Sequence, residues 1–322
     1  MNEAYEIINL TSVDDFLGEE QARAIALGMM DGVHLGHQKL IESVVEFSHL
    51  NNFIPCAMTF REPPIKWISK ETKVELITSL EERFELFKRY GIKQVIVFDF
   101  EEISKLKAID YLNTILRAEL NCKFIACGEN HNFGMQKEGC TKLLNSWAAE
   151  NNIQLQILQL LTKDNSLKIS SSLVRKFLKE GSLKEAAEIM GHNFIVYERL
   201  IQGQQLGTKL GFPTLNFQYN PEKVQLPFGV YAAKMQIKGR FYNCAVNLGL
   251  APTANSNRQE PILESHLLDL DGDFPSTGQQ CLIEMVEFIR PEKKFSTLEE
   301  LKSRIEKDVN LIYRSLLDYP EN

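Results

Sequence analysis

The chain has 322 residues, 44% of them apolar and 25% charged, which is ordinary for a globular protein. Its net charge of −7, from 36 basic and 43 acidic residues, disfavours nonspecific nucleic-acid binding, which depends on clustered lysine and arginine. No stretch reaches the roughly 20 apolar residues of a membrane helix, and the first residues lack the basic and apolar regions of a secretory signal. We therefore expect a cytoplasmic protein with neither a membrane nor a nucleic-acid partner. The sequence leaves self-association open.

The spacing of the six cysteines also favours a cytoplasmic protein. None forms a CxxC pair, and none has a histidine at the spacing of a zinc site. Reduced and mostly buried thiols are the simplest interpretation. The six positions are Cys56, Cys122, Cys127, Cys140, Cys244 and Cys281.

Short apolar runs alternate with helical patterns in the first half of the chain. This alternation predicts a parallel sheet with helices on both faces, and ligands in such sheets bind at the carboxyl ends of the strands. A capping box at Ser79 and Glu82 marks the start of a helix that ends near Gly91. Strands are predicted at 24–27, 54–60, 94–98, 123–127 and 155–160, and helices at 37–50, 80–91, 108–120, 142–150, 171–179 and 182–191.

The pattern changes after Asn193. Short apolar strands separated by turns now predict an antiparallel barrel or sandwich, followed by a helix from Ser296 to about Leu317. We place the domain boundary within 186–193, which gives domains of 1–188 and 189–322. The predicted strands are 194–201, 230–237, 242–247, 262–269 and 281–289.

A glycine-rich turn with two histidines follows the first predicted strand, at residues 28–37. Such a turn between a strand and a helix directs backbone N–H groups outward, which suits a phosphate. Three alternatives stay open for these residues: a metal site on the histidine pair, glycines that only form a turn, and histidines that only cap the helix. The candidate nucleotide-binding residues are Gly28, Asp31, His34, Gly36 and His37.

A second candidate phosphate site is the helix start at residues 169–175. The hydroxyls of Ser171 and Ser172, with Arg175 one turn later, can bind a triphosphate. A serine N-cap beside a solvated arginine explains the same residues equally well.

Together these two segments resemble the nucleotidyltransferases whose first motif is HxGH, and above all the adenylyltransferase half of bacterial riboflavin kinase/FAD synthetase. The matching residues are Asp-Gly-Val-His-Leu-Gly-His at 31–37 and Ile-Ser-Ser-Ser at 169–172. The resemblance implies a Rossmann-like domain that binds ATP, with flavin near Asn130 and Phe133. The sequence departs from the family pattern at Met30, at residues 62–64 where a Pro-His-Pro is usual, and at Asn130 and His131, where aspartate and phenylalanine are usual.

The second domain contains a candidate kinase site. Gly203, Gly207 and Gly211 lie in a loop that could cover phosphates, and it is followed by Thr214 and Asn216. These two oxygen-bearing side chains lie two residues apart, on one side of a strand, and suit Mg²⁺.

Glu264 is the candidate general base. Glu264, His266 and Leu268 share one strand face, and a carboxylate on an inward face beside a phosphate loop can take a proton from an attacking hydroxyl. A carboxylate at the rim with no catalytic role is the alternative for Glu264 taken alone.

In order along the chain, GFPTxN, PxGVYA, NxGxxPT and ExHLLD resemble the riboflavin kinase module, a six-stranded barrel. The resemblance implies Mg²⁺ on Thr214 and Asn216, Glu264 as base, and Arg290 near the flavin. The sequence has Thr208 where the family has arginine, and a longer loop at 271–278.

The two resemblances together imply an enzyme that phosphorylates riboflavin to FMN with ATP and then adenylylates FMN to FAD. An enzyme with only one activity, more readily the kinase, and a flavin- or nucleotide-binding regulator without turnover are the rival hypotheses.

Overall fold

A computed structural model of the chain describes residues 5–10, 21–68, 75–159, 161–163, 167–203, 207, 211–252, 259–268 and 275–317. The chain divides into two compact units. The first consists of Met1–Val74 and Arg83–Ser171, and the second of Glu75–Glu82 and Ser172–Asn322. The boundary at residue 188 stays a prediction.

The first unit is built on a six-stranded sheet in which every neighbouring pair is parallel. The central strands are buried along their whole length, which explains their continuous apolar sequences. The strands are β1 (Glu6–Leu10), β2 (Arg23–Leu27), β3 (Ile54–Phe60), β4 (Gln94–Phe98), β5 (Cys122–Gly128) and β8 (Gln154–Leu158). Between β5 and β8 in the sequence, β6 (Asn132–Phe133) and β7 (Gly139–Cys140) form a separate two-stranded sheet.

Helices connect these strands. One of them continues from α5 into a π-helix, Tyr111–Glu119, where the sequence predicted one regular helix. The helices are α1 (Leu35–Asn51), α2 (Ile65–Ile68), α3 (Leu80–Arg89), α4 (Phe100–Ile103), α5 (Ala108–Asp110), α6 (Thr141–Glu150) and α7 (Ser171–Lys179), with a short hairpin of β9 (Thr162–Lys163) and β10 (Leu167–Lys168) before α7. The predicted capping box of α3 is confirmed: Ser79 N–H donates to Glu82 Oε2 at 2.7 Å, and Glu82 N–H donates to Ser79 Oγ at 3.2 Å.

The strand order of the sheet is β1-β4-β3-β2-β5-β8. From β2 the chain moves through β3 to β4 on one side, and β5 then lies on the other side of β2. The order therefore reverses between β2 and β5, and this is where ligands bind in open parallel sheets. The loops that leave these two strands begin at Gly28 and Glu129.

The second unit is a closed antiparallel barrel, as the sequence predicted. Its interior is filled by one face of each strand, with Phe217, Tyr231, Val246 and Ser265 fully buried. The strands, in the order β11-β12-β15-β14-β13-β16, are β11 (Phe194–Ile201), β12 (Leu215–Gln218), β13 (Gly229–Ile237), β14 (Arg240–Pro252), β15 (Gln259–Leu267) and β16 (Gln280–Pro291).

Two helices accompany the barrel, α8 (Leu183–Met190) and the carboxy-terminal α9 (Leu298–Leu317). Ile312 and Leu316 of α9 form an apolar cluster with Val230, Ala232 and Val286. The helix therefore covers part of the outer face of β13 and β16.

Residues 75–82 belong to this second unit although they lie in the first half of the sequence. Leu76 N–H donates to Glu222 O at 2.8 Å, and Val224 N–H donates to Leu76 O at 2.7 Å. Glu82 forms a fully buried ion pair with Lys223. The hydrogen bonds and the ion pair tie this segment to residues 222–224.

In the part of the chain that the structure describes, no helix is long and apolar enough to cross a membrane.

Candidate active sites

The loop after β2 has an unusual backbone. Met30 (φ 49°) and Val33 (φ 35°) both lie in the left-handed region, which costs a residue with a side chain of order 1–3 kcal/mol. Gly32 has φ 81°, and Val33 N–H donates to Met30 O at 3.1 Å. A strained loop at the carboxyl end of β2 is consistent with a binding role, since such strain concentrates at functional sites.

His34 and His37 are brought together at the start of α1. Their rings are stacked with centroids 3.7 Å apart, and Gly36 lies between them in sequence. His34 is the N-cap residue, yet its side chain makes no capping hydrogen bond, so the capping alternative fails for it. Among the described residues there is also no group of three histidine, cysteine or carboxylate side chains that could hold a metal.

Burial, followed by the neighbouring His34 and Arg83, holds the pKa of His37 well below its usual value. The ring is therefore neutral at neutral pH. A neutral imidazole still donates one N–H, which is what a phosphate oxygen accepts.

Arg83 supports this loop, although no sequence pattern marked it as a site residue. The fully buried guanidinium donates through Nη1 to Met29 O at 3.0 Å, to Thr59 Oγ1 at 2.6 Å and to Phe60 O at 3.1 Å. Thr59 Oγ1 donates in turn to Met29 O at 2.9 Å. Arg83 therefore fixes the HxGH loop to the end of β3, a contact that helical periodicity cannot reveal.

The serine segment reaches the same loop. Ser171 Oγ donates to Asp31 O at 2.9 Å, within the first unit. Ser172 and Arg175 belong to the second unit, where Arg175 Nε donates to Glu75 O at 2.6 Å. Contact of Ser172 and Arg175 with a nucleotide stays a prediction.

A cleft of about 430 Å³ opens beside the HxGH motif. Its size lies within the range of small-molecule sites, which are typically about 300–1,000 Å³. One wall is the first turns of α1 and the other is the end of β8, and the lining includes Gly36, Lys39, Ser43, Gln156 and Leu158.

The loop after β5 carries the candidate flavin residues. Asn130 is exposed, whereas Phe133 is buried, with its ring centroid 5.5 Å from that of Tyr111. His131 is stacked on Phe133 at 5.7 Å, and burial lowers the pKa of His131 to about 4. The loop therefore presents a neutral imidazole where the family pattern has an aromatic residue.

In the barrel, Asn216 and Glu264 lie directly opposite each other on β12 and β15, and Asn247 of β14 is the next residue in that row. The predicted inward position of Glu264 is wrong. Ser265 of β15 and its partner Val246 fill the interior, so Glu264 points to the outer face, where it is partly buried and partly exposed.

Partial burial, and secondarily the Glu292 carboxylate, raise the pKa of Glu264 above its usual value. A raised pKa makes the carboxylate a stronger base, which suits the role predicted from the sequence.

Gly203, which follows β11, lies against this row of side chains. A Cβ at Gly203 would overlap the amide of Asn216, and one at Gly207 would overlap Phe212 O. His266 Nδ1 lies 2.9 Å from Pro213 O, a contact that holds the chain just before Thr214. Thr208 lies outside the described residues, as do residues 271–274 of the loop at 271–278.

Gly203→Ala tests this close approach. We expect FMN formation to fall about tenfold or more because Asn216 must move, while FAD formation from supplied FMN stays unchanged. Steady-state rates of the two reactions measure this. Equal rates of FMN formation in both proteins would show that Asn216 can move without consequence.

Arg290 lies in the same cross-strand row, opposite Val230 of β13. Its guanidinium donates through Nε and Nη2 to Asp308 Oδ2 of α9, at 2.8 and 2.6 Å. This pair anchors α9 to the barrel beside the candidate kinase site, and flavin contact of Arg290 stays a prediction.

Each of the two units matches a known protein family. A family model described as FAD synthetase matches residues 18–173, and one described as riboflavin kinase matches residues 190–316. The chain is 30% identical to the bifunctional riboflavin kinase/FMN adenylyltransferase of Bacillus subtilis over 94% of its own length and 95% of the relative's. The relative of the same name from Escherichia coli is also 30% identical, over 90% and 91% of the two chains.

A crystal structure titled a macrolide-efflux protein from Streptococcus pneumoniae shares the fold, with a TM-score of 0.81 and 23% identity over 95% of this chain and 98% of the other. The present chain thus combines a nucleotidyltransferase domain and a kinase domain in one enzyme of flavin cofactor biosynthesis. It belongs to the bifunctional riboflavin kinase/FMN adenylyltransferase family.

Proposed function

We propose that the barrel phosphorylates riboflavin at the row formed by Asn216 and Glu264, and that the parallel-sheet unit adenylylates FMN at the HxGH loop. One observation carries the kinase assignment: Asn216 and Glu264 are cross-strand partners, and Gly203 approaches the Asn216 amide closely. The substrates are riboflavin, ATP and FMN, and the final product is FAD.

In the kinase reaction, the 5′-hydroxyl of riboflavin attacks the γ-phosphate of ATP, and ADP leaves. Glu264 orients the hydroxyl and takes its proton. The glycine loop at 203–211 covers the phosphates with backbone N–H groups. Positioning and charge stabilisation supply most of the acceleration in phosphoryl transfer, so few groups are needed.

The residues present fit Mg²⁺. Asn216 Nδ2 lies 3.4 Å from Thr214 O, which leaves the amide Oδ1 and the Thr214 hydroxyl as hard oxygen ligands. Mg²⁺ commonly uses one or two protein groups together with substrate phosphates and water. Bound Mg²⁺ would offset negative charge on the phosphates of ATP.

In the second reaction, the phosphate of FMN attacks the α-phosphate of ATP and pyrophosphate leaves. His34 and His37 donate hydrogen bonds to the phosphates, and backbone N–H groups after Gly28 and around Gly36 add to them. Ser171 holds the Asp31 carbonyl and so fixes the loop. Ser172 and Arg175 are proposed to bind the outer phosphates.

His37→Ala tests the second assignment. We expect FAD formation from FMN to fall roughly 10²–10³-fold, because a donor to the developing charge is lost. FMN formation from riboflavin should not change. His49→Ala, at the exposed end of the same helix, is the matched control. Loss of both activities, or of neither, in the His37 variant would contradict the assignment.

A product assay separates the rival hypotheses. Purified protein with riboflavin, ATP and Mg²⁺ should yield both FMN and FAD, resolved by chromatography. FMN alone would support a kinase without adenylyl transfer, and flavin binding without either product would support a regulator. Omission of Mg²⁺ should abolish both products. Cytoplasmic location and self-association are proposals of the same kind, tested by fractionation and by light scattering.

A further inference from the structure

A second carboxylate lies next to Glu264. Asn247 is the cross-strand partner of Glu264, and Gly249 lies two residues further along β14. A Cβ at Gly249 would lie 2.8 Å from Glu292 Oε1 and 3.3 Å from Asn247 Nδ2. The absence of a side chain at Gly249 therefore leaves room for the Glu292 carboxylate beside Asn247 and the base.

The backbone holds Glu292 in this position. Glu292 N–H donates to Phe228 O at 3.2 Å, and the preceding Pro291 pairs with Gly229 of β13. Within the described part of the chain, the Glu292 carboxylate has no hydrogen-bond or ion-pair partner, and its side chain is exposed. The Glu292 carboxylate is therefore a hydrogen-bond acceptor that the backbone holds beside the kinase site, where a ligand can use it.

The charge of the Glu292 carboxylate determines which groups of the substrates it can bind. A carboxylate accepts hydrogen bonds and repels phosphates, so it suits hydroxyl donors and not the ATP triphosphate. Riboflavin carries a chain of hydroxyls, the ribityl chain, that ends in the reacting 5′-hydroxyl. If that hydroxyl is bound at Glu264, the neighbouring ribityl hydroxyls lie within a few ångströms of it.

We propose that Glu292 is a specificity-determining residue of the kinase site, which accepts a hydrogen bond from a ribityl hydroxyl of riboflavin. Gly249 is required because a side chain there would displace the carboxylate. The proposal rests on the proposed role of Glu264 as the base that receives the 5′-hydroxyl. It explains how the site recognises a polyol while the phosphates are held at the glycine loop.

The test combines Glu292→Ala, Glu292→Gln and Gly249→Ala with steady-state kinetics of FMN formation. We expect Glu292→Ala to raise the KM for riboflavin roughly 10–100-fold, as for loss of a hydrogen bond to a charged group, with the KM for ATP unchanged. Glu292→Gln should have a smaller effect because its amide oxygen still accepts. Glu299→Gln, an exposed carboxylate in the first turn of α9, should behave as the unmodified protein.

Gly249→Ala supplies an independent measurement. It should raise the KM for riboflavin in the unmodified protein and have little further effect in Glu292→Ala, because the displaced group is already absent. Additive effects of the two substitutions would show that Gly249 acts through something else and would overturn that part of the proposal.

Substrate analogues that each lack one ribityl hydroxyl test for direct contact. If Glu292 were only structural, its removal would not change how the enzyme discriminates among these analogues. The unmodified enzyme should discriminate against one analogue, and Glu292→Ala should lose that discrimination. Unchanged discrimination and an unchanged KM would overturn the role of Glu292. The role of Glu264 as the base is tested separately. If that role were wrong, Glu264→Gln would retain FMN formation.

Discussion

Glu264→Gln should reduce the turnover number of FMN formation roughly 10²–10⁴-fold, the usual contribution of a general base. Glutamine keeps the size and the hydrogen-bond acceptor of the side chain but cannot take the proton of the 5′-hydroxyl. FAD formation from supplied FMN, which uses the other unit, should be unchanged. Quenched-flow or steady-state assays of the two reactions measure the difference.

Two further measurements sharpen this prediction. Because the pKa of Glu264 is raised, a larger fraction of the base is protonated as the pH falls, so FMN formation should decline at a higher pH than an ordinary carboxyl, about 4.3, would give. The variant should lack that decline. Glu260→Gln, on the same strand, changes only a carboxylate bound to Gln218 and is the control. A variant that retains activity within about threefold would refute the assignment of Glu264.

Lys223→Met should lower the free energy of unfolding of the second unit by roughly 3–5 kcal/mol, because it leaves Glu82 buried without its counter-charge. Lys223 also donates to Ile195 O at 2.7 Å, and its ammonium lies 4.4 Å from the ring centroid of Phe194. Glu82 accepts a further hydrogen bond from Tyr197 N–H at 3.0 Å. The substitution therefore affects several contacts at once.

The double variant Glu82→Gln/Lys223→Met should recover part of that loss. Burial raises the pKa of Glu82 despite the adjacent ammonium, so removal of the isolated charge relieves a desolvation cost. Lys184→Met is the control, since it breaks an exposed pair with Glu287 that is worth under about 1 kcal/mol.

Hydrogen exchange of the β11 amides during urea titration monitors the unit that contains the pair. The two tryptophans, Trp67 and Trp147, lie in the first unit and would report on the wrong part of the chain. Equal stability of Lys223→Met and the control would contradict the prediction.

The sequence predicted most elements of both units because their patterns are local. β2 and β4 are buried along their full length and appear as apolar runs, and the capping box of α3 spans only four residues. The edge strand β1 was not predicted, although its five residues make it as long as β2 and β4. It lacks the continuous apolar run of the central strands, because Glu6, Ile7 and Asn9 are exposed.

Long-range features could not be predicted in the same way. Alternation along β15 separates Glu264 from Ser265 but does not tell which face is inside, because α9 covers part of the outer face and makes it apolar as well. The hydrogen bonds of Arg83 and the pairing of Glu82 with Lys223 join residues distant in sequence. A single sequence carries no signal for such pairs.

The position of residues 75–82 also has a consequence for synthesis on the ribosome. This segment emerges early, but Glu82 acquires its partner only after a further 141 residues have been made. At bacterial elongation rates of roughly 5–20 residues per second, the delay is about 7–28 s. During that interval Leu76 lacks its hydrogen-bond partners at residues 222 and 224, so the nascent chain offers the apolar pair Leu76 and Ile77 to chaperones until those residues have been made.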